Sequence, residues 1–376
     1  MECLIIGGTG TISEGIAVES IKRGYTTTVI NRGNNNDRIP KGANLLKGDI
    51  NNAYLIHSFL DNKVYDVIVD PIAYNVEQLQ QHIAIFQTHC KLYVFISSAA
   101  AIGNHDGIID EKTKKTPKWD YGVDKLKCEE YLESINTDGF SYLIIRPSIT
   151  YGDIRIPIPV ACRRNPWTII DRIMKNKPLV CFEYKGAHET FHNLMNIRDF
   201  SQYVVELFNK DVARNNDYLV CSDKAYSWED AYSILYDALD KEKHVYEVDR
   251  GIFKFMNPTL YKDIVYDKDS DGAVFSNAKV KKDANVFVDE CSLNTSIRLI
   301  VDYLQKRYSS ITVEEQYNEM TDAILLCGVR NPDAFLKDYL NGLDLRYKLK
   351  LRSLWQKKRI KYAIKVILKK ISLNYR

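Results

Sequence analysis

Strand-like runs alternate with helix-like segments along the first 100 positions of the chain. The runs lie at residues 4–6, 26–30, 44–46, 66–69 and 92–96. Segments with helical periodicity lie between them, at about residues 11–23, in the stretch that ends at Leu60, and at 76–89. Short buried strands that alternate with helices predict an α/β fold, in which helices cover both faces of a doubly wound parallel sheet.

The pattern loosens after Tyr151. Prolines interrupt it at positions 157, 159, 166 and 178, and helical patterns return at residues 198–209, 227–240 and 294–307. A chain of 376 residues is long enough for a large sheet domain and a smaller lobe. We therefore expect a sheet domain at residues 1–150 with a return segment at about 190–225. The lobe is then expected mainly at residues 151–310, with a helical extension at 311–376.

Composition and the N-terminus favour an ordinary globular protein. Hydrophobic residues make up 45% of the chain and charged residues 27%. No run of about 18 apolar residues is present, so the sequence predicts no membrane-spanning helix. The N-terminus runs into a strand pattern without the regions of a signal peptide. Eight scattered cysteines, with no CxxC pair or cluster with histidine, favour reduced thiols in a cytoplasmic protein and no metal site.

The charge of the chain is concentrated at its C-terminus. Residues 346–376 contain twelve Lys and Arg and no acid, so the net charge of +3 leaves −9 for residues 1–345. Apolar positions 360, 364, 367, 368 and 371 share one helical face. This basic amphipathic pattern favours peripheral contact with an anionic membrane surface. Packing on the acidic body or on a second subunit is the structural alternative, and nucleic acid is a less favoured partner.

A glycine-rich turn follows the first strand and opens the first helix. Its spacing is G-x-x-G-x-x-S, with Ser13 in place of a third glycine. Such a turn lets the backbone approach a pyrophosphate, for which the helix N-terminus provides free N–H groups. The turn therefore predicts a dinucleotide-binding domain of the Rossmann type, and a glycine loop without a ligand is the alternative. The candidate cofactor contacts here are Gly7, Gly8, Gly10, Thr11 and Ile12.

The ends of the second and third strands bear on the choice between NAD and NADP. An NAD site usually has Asp or Glu at the end of the second strand, where this chain has Asn31 and Arg32. An arginine can pair with a 2′-phosphate, so Arg32 slightly favours NADP(H); a solvated loop arginine is the alternative. After the third strand, Asp49 and Ile50 are candidate contacts of the adenine. Asp49 alternatively caps the helix that follows.

Tyr121 and Lys125 stand four positions apart in a predicted helix, so they share one face. A phenol with its ordinary pKa of about 10 is a poor base at neutral pH, but a nearby ammonium group favours the phenolate. A serine at the end of the fifth strand, Ser97 or Ser98, can hydrogen-bond a reacting oxygen. The structural alternatives are a surface Tyr-Lys pair and a turn serine.

Taken together, these motifs resemble the extended short-chain dehydrogenases/reductases, that is, the NAD-dependent epimerase/dehydratase family. The resemblance covers about residues 1–310, with the motifs in the family's order. The matching positions are Gly7, Gly10, Ser98, Tyr121, Lys125 and the run Arg146-Pro147-Ser148-Ile149-Thr150-Tyr151-Gly152. Two further segments are similar to the family's: Asp70-Pro71-Ile72-Ala73 and Asn196-Ile197-Arg198-Asp199-Phe200.

The resemblance implies NAD or NADP as cofactor and a role for each matching residue. Tyr121 would be the general acid/base, Lys125 would assist it and hold the ribose, and Ser98 would bind the reacting oxygen. Further implied cofactor contacts are Ile72, Ala73 and Pro147.

The implied activity is epimerase-type hydride transfer on a nucleotide-linked sugar or a similar polyol, as in polysaccharide assembly. An NADPH-dependent reductase of a keto sugar or other carbonyl is one alternative. A cofactor-binding protein that binds RNA or acts as a regulator is the non-enzymatic alternative. Family members often form homodimers through the helices that carry the Tyr-Lys pair.

The chain also departs from the family. Ala99 and Ala100 follow Ser98 where the family's 4,6-dehydratases have Asp-Glu, which disfavours that reaction. His192 stands where epimerases commonly have an arginine that grips the nucleotide's phosphate. The arginines that could substitute for it are Arg155, Arg163, Arg164 and Arg198.

Overall fold

The computed structural model describes residues 1–374 except 35–37, 62, 136–138, 164, 184–189, 269–273 and 309–312. The chain divides into two compact units. The first unit consists of Met1–Gly152, Phe191–Tyr226 and Asp271–Ser292. The second consists of Asp153–Thr190, Ser227–Ser270 and Leu293–Arg376.

The strands are short and most contain buried aliphatic residues. They are β1 (Glu2–Ile6), β2 (Thr26–Asn31), β3 (Asn44–Lys47), β4 (Tyr65–Asp70), β5 (Cys90–Ile96), β6 (Ile108–Ile109), β7 (Tyr142–Pro147), β8 (Ile149–Tyr151), β9 (Leu179–Phe182), β10 (Phe191–Asn196), β11 (Asn216–Val220), β12 (Ala225–Ser227), β13 (Val245–Val248) and β14 (Val274–Phe275).

The helices lie between and after these strands. They are α1 (Thr11–Lys22), α2 (Ala53–Leu60), α3 (Val76–Phe86), α4 (Asp120–Ser134), α5 (Trp167–Met174), α6 (Ile197–Leu207), α7 (Trp228–Ala238), α8 (Phe253–Met256), α9 (Pro258–Asp263), α10 (Ala278–Ala284), α11 (Leu293–Tyr308), α12 (Glu315–Gly328), α13 (Ala334–Gly342) and α14 (Leu345–Asn374).

The first unit is built on a seven-stranded sheet in the order β11-β7-β5-β4-β1-β2-β3, with every neighbouring pair parallel. The alternation of side chains along β1 shows why its sequence is continuously apolar. Cys3 and Ile5 pack in the core on one face of the sheet, and Leu4 and Ile6 pack in the core on the other. The predicted α/β fold with a doubly wound parallel sheet is therefore confirmed.

The order in which successive strands are added to the sheet reverses between β1 and β4. From β1 the sheet grows through β2 and β3 on one side, and through β4, β5, β7 and β11 on the other. The carboxyl ends of β1 and β4 flank this switch point, which is where doubly wound sheets bind ligands. All the predicted site residues that follow strands lie at this carboxyl edge.

The second unit is mainly helical, and a buried arginine joins its helices. Arg172 of α5 is fully buried and donates to Asn318 at 3.0 Å and to Asp322 at 2.8 Å. Asp322 also accepts hydrogen bonds from Tyr339 of α13 and Tyr347 of α14. Because one buried carboxylate serves three donors, the network ties α5, α12, α13 and the start of α14 together. A helical C-terminal region, as the sequence predicts, is thus present.

Candidate active site

The glycine turn after β1 requires glycine at two positions. Gly7 has a φ of +100° and donates from its N–H to the Ile30 carbonyl at 2.8 Å. Gly8 has a φ of +64°, and a Cβ there would lie 1.9 Å from Cγ1 of Val29. A side chain at Gly8 would thus be strained and would overlap β2. Glycine at position 8 therefore lets the turn pack closely against β2.

The start of α1 is stabilised by Ser13, the residue in the third glycine position. The Gly10 N–H donates to its hydroxyl oxygen at 3.0 Å, and the hydroxyl donates to the Gly10 carbonyl at 3.2 Å. The N–H groups of Thr11 and Ile12 are in the first turn, so they have no acceptor within the helix. The close packing of α1 against a neighbouring element occurs instead at Gly15, where a Cβ would lie 2.4 Å from Cγ1 of Ile197 in α6. Ser13 is therefore compatible with an open anion-binding helix end.

Asn31 and Arg32, at the end of β2, have different environments. The side-chain oxygen of Asn31 accepts from the Gly33 N–H at 2.7 Å. Its Nδ2 is buried and has no hydrogen-bond partner in the part of the chain that the structure describes. Arg32 is exposed. An unsatisfied buried amide is costly, so Nδ2 is a natural donor to a ligand oxygen at this edge.

Asp49 does not cap the helix that follows it. Its Oδ1 accepts from the backbone and side-chain nitrogens of Asn51, at 3.0 and 2.9 Å. The cap of α2 is Asn52, whose side chain accepts from the Leu55 N–H. The capping alternative for Asp49 is therefore wrong. Asp49 is exposed, and the neighbouring Ile50 is half-buried against the core beneath the sheet.

Lys125 of α4 is buried at the carboxyl ends of two adjacent strands. Only 1% of the residue is exposed, and its Nζ donates to the carbonyls of Ala73 at 2.8 Å and Ile96 at 2.7 Å. Nζ lies 6.0 Å from the centre of the Tyr121 ring and 4.7 Å from that of Phe95. Burial lowers the pKa of Lys125 to about 8, although nearby acidic groups oppose the shift. The amine is thus mostly charged at neutral pH.

A buried carboxylate holds the turn that supplies one of these carbonyls. Asp70, at the end of β4, accepts from the N–H groups of Ile72 and Ala73 at 2.9 and 3.1 Å. Its other oxygen lies 2.6 Å from Nδ1 of His82 and accepts from the Tyr93 hydroxyl at 2.6 Å. Burial alone would raise the pKa of Asp70, but its hydrogen bonds with His82, Tyr93 and the Ile72 N–H hold it below its ordinary value. The sequence pointed to this segment only through the implied cofactor contacts Ile72 and Ala73, and the anchoring role of Asp70 was missed.

A second buried carboxylate anchors α4 and distinguishes the two candidate serines. Glu129 is fully buried and accepts from Arg146 through two bonds of 2.8 Å and from Lys115 at 3.0 Å. The Ser97 hydroxyl donates to the same carboxylate at 2.6 Å. Ser97 is therefore part of the anchor. Ser98 is half-buried, and its hydroxyl oxygen accepts from the Ala100 N–H at 3.2 Å, which leaves its proton for another acceptor.

The start of α4 lies unusually close to the turn that begins at Ser98. A Cβ on Gly122 would lie 2.2 Å from the Ala100 carbonyl oxygen and 3.1 Å from the Pro117 side chain. Tyr121, the preceding residue, is half-buried, and its ring centre lies 5.0 Å from that of Trp119. Only glycine at position 122 permits this approach. Sequence reasoning missed it, because its only signal is a glycine inside a helix, where glycine is unfavourable.

These contacts connect the predicted site residues across the edge of the sheet. A Cβ on Gly7 would lie 3.0 Å from Ile72, so the glycine turn meets the segment after β4. That segment binds Lys125 through Ala73, and Lys125 lies beside Tyr121. Pro147 is also at this edge, buried at the end of β7 and paired in register with β11. The arrangement places a phenol, an ammonium group and a serine hydroxyl along the edge that carries the glycine turn.

The positions proposed for phosphate binding have different environments. His192 is buried in β10, and Arg163 pairs with Asp263 in the second unit. Arg155 is half-buried, Arg198 is exposed, and Arg164 lies outside the described residues. Among the residues that the structure describes, no group of three or more His, Cys, Asp or Glu side chains is arranged to hold a metal ion.

The close approach at Gly122 leads to a prediction. We expect Gly122→Ala to lower the free energy of unfolding by about 1–3 kcal/mol, because the new methyl group overlaps the Ala100 carbonyl and pushes α4 away from the Ser98 turn. Gly342→Ala is the matched control, since a Cβ there meets open space. Urea denaturation of both variants measures the effect. Equal stability of the two would show that the approach is not tight.

A family model described as the NAD dependent epimerase/dehydratase family matches residues 3–220. No curated protein matches.

Several solved structures have the same fold. The UDP-glucose 4-epimerase of Thermotoga maritima, solved with UDP-glucose, is 16% identical over 81% of this chain and 99% of its own, with a TM-score of 0.66. The UDP-glucuronic acid 4-epimerase of Bacillus cereus, solved with UDP-glucuronic acid and NAD, is 17% identical over 82% and 100%, with a TM-score of 0.65. The dTDP-glucose 4,6-dehydratase of Bacillus anthracis, solved with NAD, is 16% identical over 85% and 99%, with a TM-score of 0.66.

At these identities the structural likeness establishes the fold. The family-model match covers more than half of the chain and includes the glycine turn, Ser98, Tyr121 and Lys125. The chain belongs to the NAD-dependent epimerase/dehydratase family.

Proposed function

We propose that this protein is an NAD(P)-dependent epimerase that acts on a nucleotide-linked sugar. The observation that carries the proposal is the buried ammonium group of Lys125, held by two strand-end carbonyls beside Tyr121. Burying a charged amine is unfavourable, and the lowered pKa of Lys125 expresses that penalty. A group with a perturbed pKa at the carboxyl edge of a doubly wound sheet, one strand from its switch point, is a feature of functional sites.

The chain offers a suitable place for a nicotinamide dinucleotide. Glycine at positions 7 and 8 lets the turn pack closely against Ile72 and Val29, and the N–H groups of Thr11 and Ile12 suit a pyrophosphate. The unpartnered Nδ2 of Asn31 suits a ribose oxygen. These residues would hold the dinucleotide, with Asp49, Ile50, Ile72, Ala73 and Pro147 as the further contacts that the family resemblance implies. The bound nicotinamide would supply the acceptor and later the donor of a hydride.

The three side chains at the edge would bind the reacting oxygen and transfer its proton. Ser98 would orient the reacting oxygen of the sugar through its free hydroxyl proton. As a phenolate, Tyr121 would take the proton from that oxygen while a hydride leaves the sugar carbon that bears the oxygen. Tyr121 would return the proton when the hydride is returned to the opposite face of that carbon. The positive charge of Lys125 favours the phenolate over the phenol. One proton and one hydride leave and return, so the reaction is a net isomerisation.

The turn after Ser98 favours an epimerase over a dehydratase. Ala99 is buried and Ala100 is half-buried in this turn, and neither side chain can donate or accept a proton. An elimination of water needs an additional acid or base, which these positions do not supply. The titles of the similar structures name UDP-glucose and UDP-glucuronic acid, so UDP-linked sugars are the first substrates to test.

A reductase that consumes NADPH is the second candidate. The exposed arginine at the end of β2, Arg32, is the observation that favours it, since an arginine there suits a 2′-phosphate. A cofactor-binding protein without catalytic activity is less consistent with the site, because it would have no use for a costly buried ammonium group beside a phenol.

The hydroxyl group of Tyr121 is the proposed acceptor and donor of the proton. We expect Tyr121→Phe to lower kcat about a thousandfold, because the proton acceptor is lost, while nucleotide content changes little. Epimerisation of UDP-sugars is followed by NMR, and the nucleotide released on denaturation is identified by mass spectrometry. Tyr54→Phe, at a residue that is 87% exposed, is the matched control.

Tightly held NAD(H) with no net change in absorbance supports the epimerase, whereas net loss of NADPH indicates the reductase. Full activity in Tyr121→Phe contradicts the proposal.

Arg32 is the residue that would distinguish NADP(H) from NAD(H). If this residue binds a 2′-phosphate, Arg32→Glu raises the Kd for NADP(H) at least about tenfold and changes that for NAD(H) by less than about twofold. Calorimetric titration of nucleotide-free protein measures both constants. Lys41→Glu, the same reversal at another exposed position, is the control. An unchanged ratio of the two constants would identify Arg32 as a solvated loop residue.

A further inference from the structure

The C-terminal helix α14 has a docked half and a free half. In the docked half, Leu351 is fully buried and Trp355 is 7% exposed. The Trp355 ring packs edge-on against Phe255 with ring centres 4.9 Å apart, and Tyr347 donates to Asp322. Packing on the body, one interpretation of the basic tail, therefore applies to residues 345–355.

The second half of α14 is exposed. From residue 356 to 369 every side chain is exposed except Val366, which is half-buried. Four large aliphatic residues in this stretch are more than half exposed. They are Ile360 at 58%, Ile364 at 52%, Ile367 at 56% and Leu368 at 59%. An exposed apolar stripe on a helix marks a surface that contacts something else.

This stripe is not a continuation of the docked face. Ile360 follows Trp355 by five positions, and at about 100° per residue the two side chains lie about 140° apart around the axis. The same offset separates Leu351 from Ile364. The free half thus presents its aliphatic residues away from the side on which the docked half packs.

The charges on the free half are arranged around the stripe. Lys357 and Lys361 are exposed within about 60° of Ile364 and Leu368 around the helix axis, whereas Lys358, Lys365 and Lys369 are exposed on the opposite side. No acidic residue occurs between positions 346 and 376. Long lysine side chains beside an aliphatic stripe can extend to anionic groups at the level of the apolar surface.

We propose that the free half of α14 lies on the surface of an anionic lipid bilayer. The aliphatic stripe would enter the boundary between headgroups and acyl chains, the lysines beside it would contact lipid phosphates, and those on the far side would add attraction to the anionic surface. In the described part of the chain no helix is long and apolar enough to cross a membrane, so the contact would be peripheral. A nucleic acid would use the lysines but not the stripe. A second copy would bring two strongly basic helices together.

Vesicle binding tests the proposal with the full-length protein. Binding to phosphatidylcholine vesicles is compared with binding to vesicles of phosphatidylcholine and phosphatidylglycerol. We expect binding to the anionic vesicles only, and each lysine replaced by Gln should weaken it about fivefold. The charge variant is Lys358→Gln with Lys361→Gln, Lys365→Gln and Lys369→Gln. Its matched control replaces four exposed lysines elsewhere: Lys41→Gln, Lys112→Gln, Lys127→Gln and Lys337→Gln.

The second variant removes the stripe and keeps the charge. Ile360→Gln with Ile364→Gln and Ile367→Gln should lower vesicle binding at least about tenfold, because less apolar area enters the bilayer, while circular dichroism shows the helix intact. Vesicle binding unchanged in this variant would overturn the proposal. So would tighter binding to duplex or single-stranded nucleic acid that depends on the lysines alone, or a dimer in light scattering that only the stripe variant dissociates.

Discussion

The site depends on a charged amine buried at the carboxyl edge of the sheet. Lys125 exchanges water for two backbone carbonyls, one after β4 and one at the end of β5. Two hydrogen bonds do not replace full hydration, which is why the pKa of Lys125 falls to about 8. The amine nevertheless remains charged at neutral pH, and its charge is presented to the Tyr121 ring.

The surrounding structure keeps that amine in place through two buried carboxylates. Asp70 holds the turn that carries the Ala73 carbonyl, and Glu129 holds α4 through Arg146 and Ser97. Each carboxylate accepts several hydrogen bonds, so its burial is offset locally. Loss of either cluster would free one of the two segments that position Lys125. Two anionic clusters on separate elements therefore position one cation.

The sequence indicated the fold, but not the buried contacts that hold the candidate site residues in place. The alternation of strands and helices, the glycine turn and the Tyr-Lys spacing are local patterns, and each appears in the structure as predicted. The roles of Asp70 and Gly122 depend on which segments pack together, and no local pattern contains that information. The tail shows the same limit. The sequence of the tail indicated one amphipathic helix. Only the burial of Leu351 and Trp355 shows that the first half of this helix is packed, while the aliphatic stripe of its second half is exposed.

The protonation of Lys125 is the most direct test of this account. Lysine labelled with carbon-13 at Cε reports the titration of each amine by NMR, and the signal missing from Lys125→Met identifies the one of interest. The account predicts a midpoint near pH 8, well below the ordinary 10.5. A midpoint at the ordinary value would show that the amine is hydrated, and the arrangement of Lys125 beside Tyr121 described here would then be wrong.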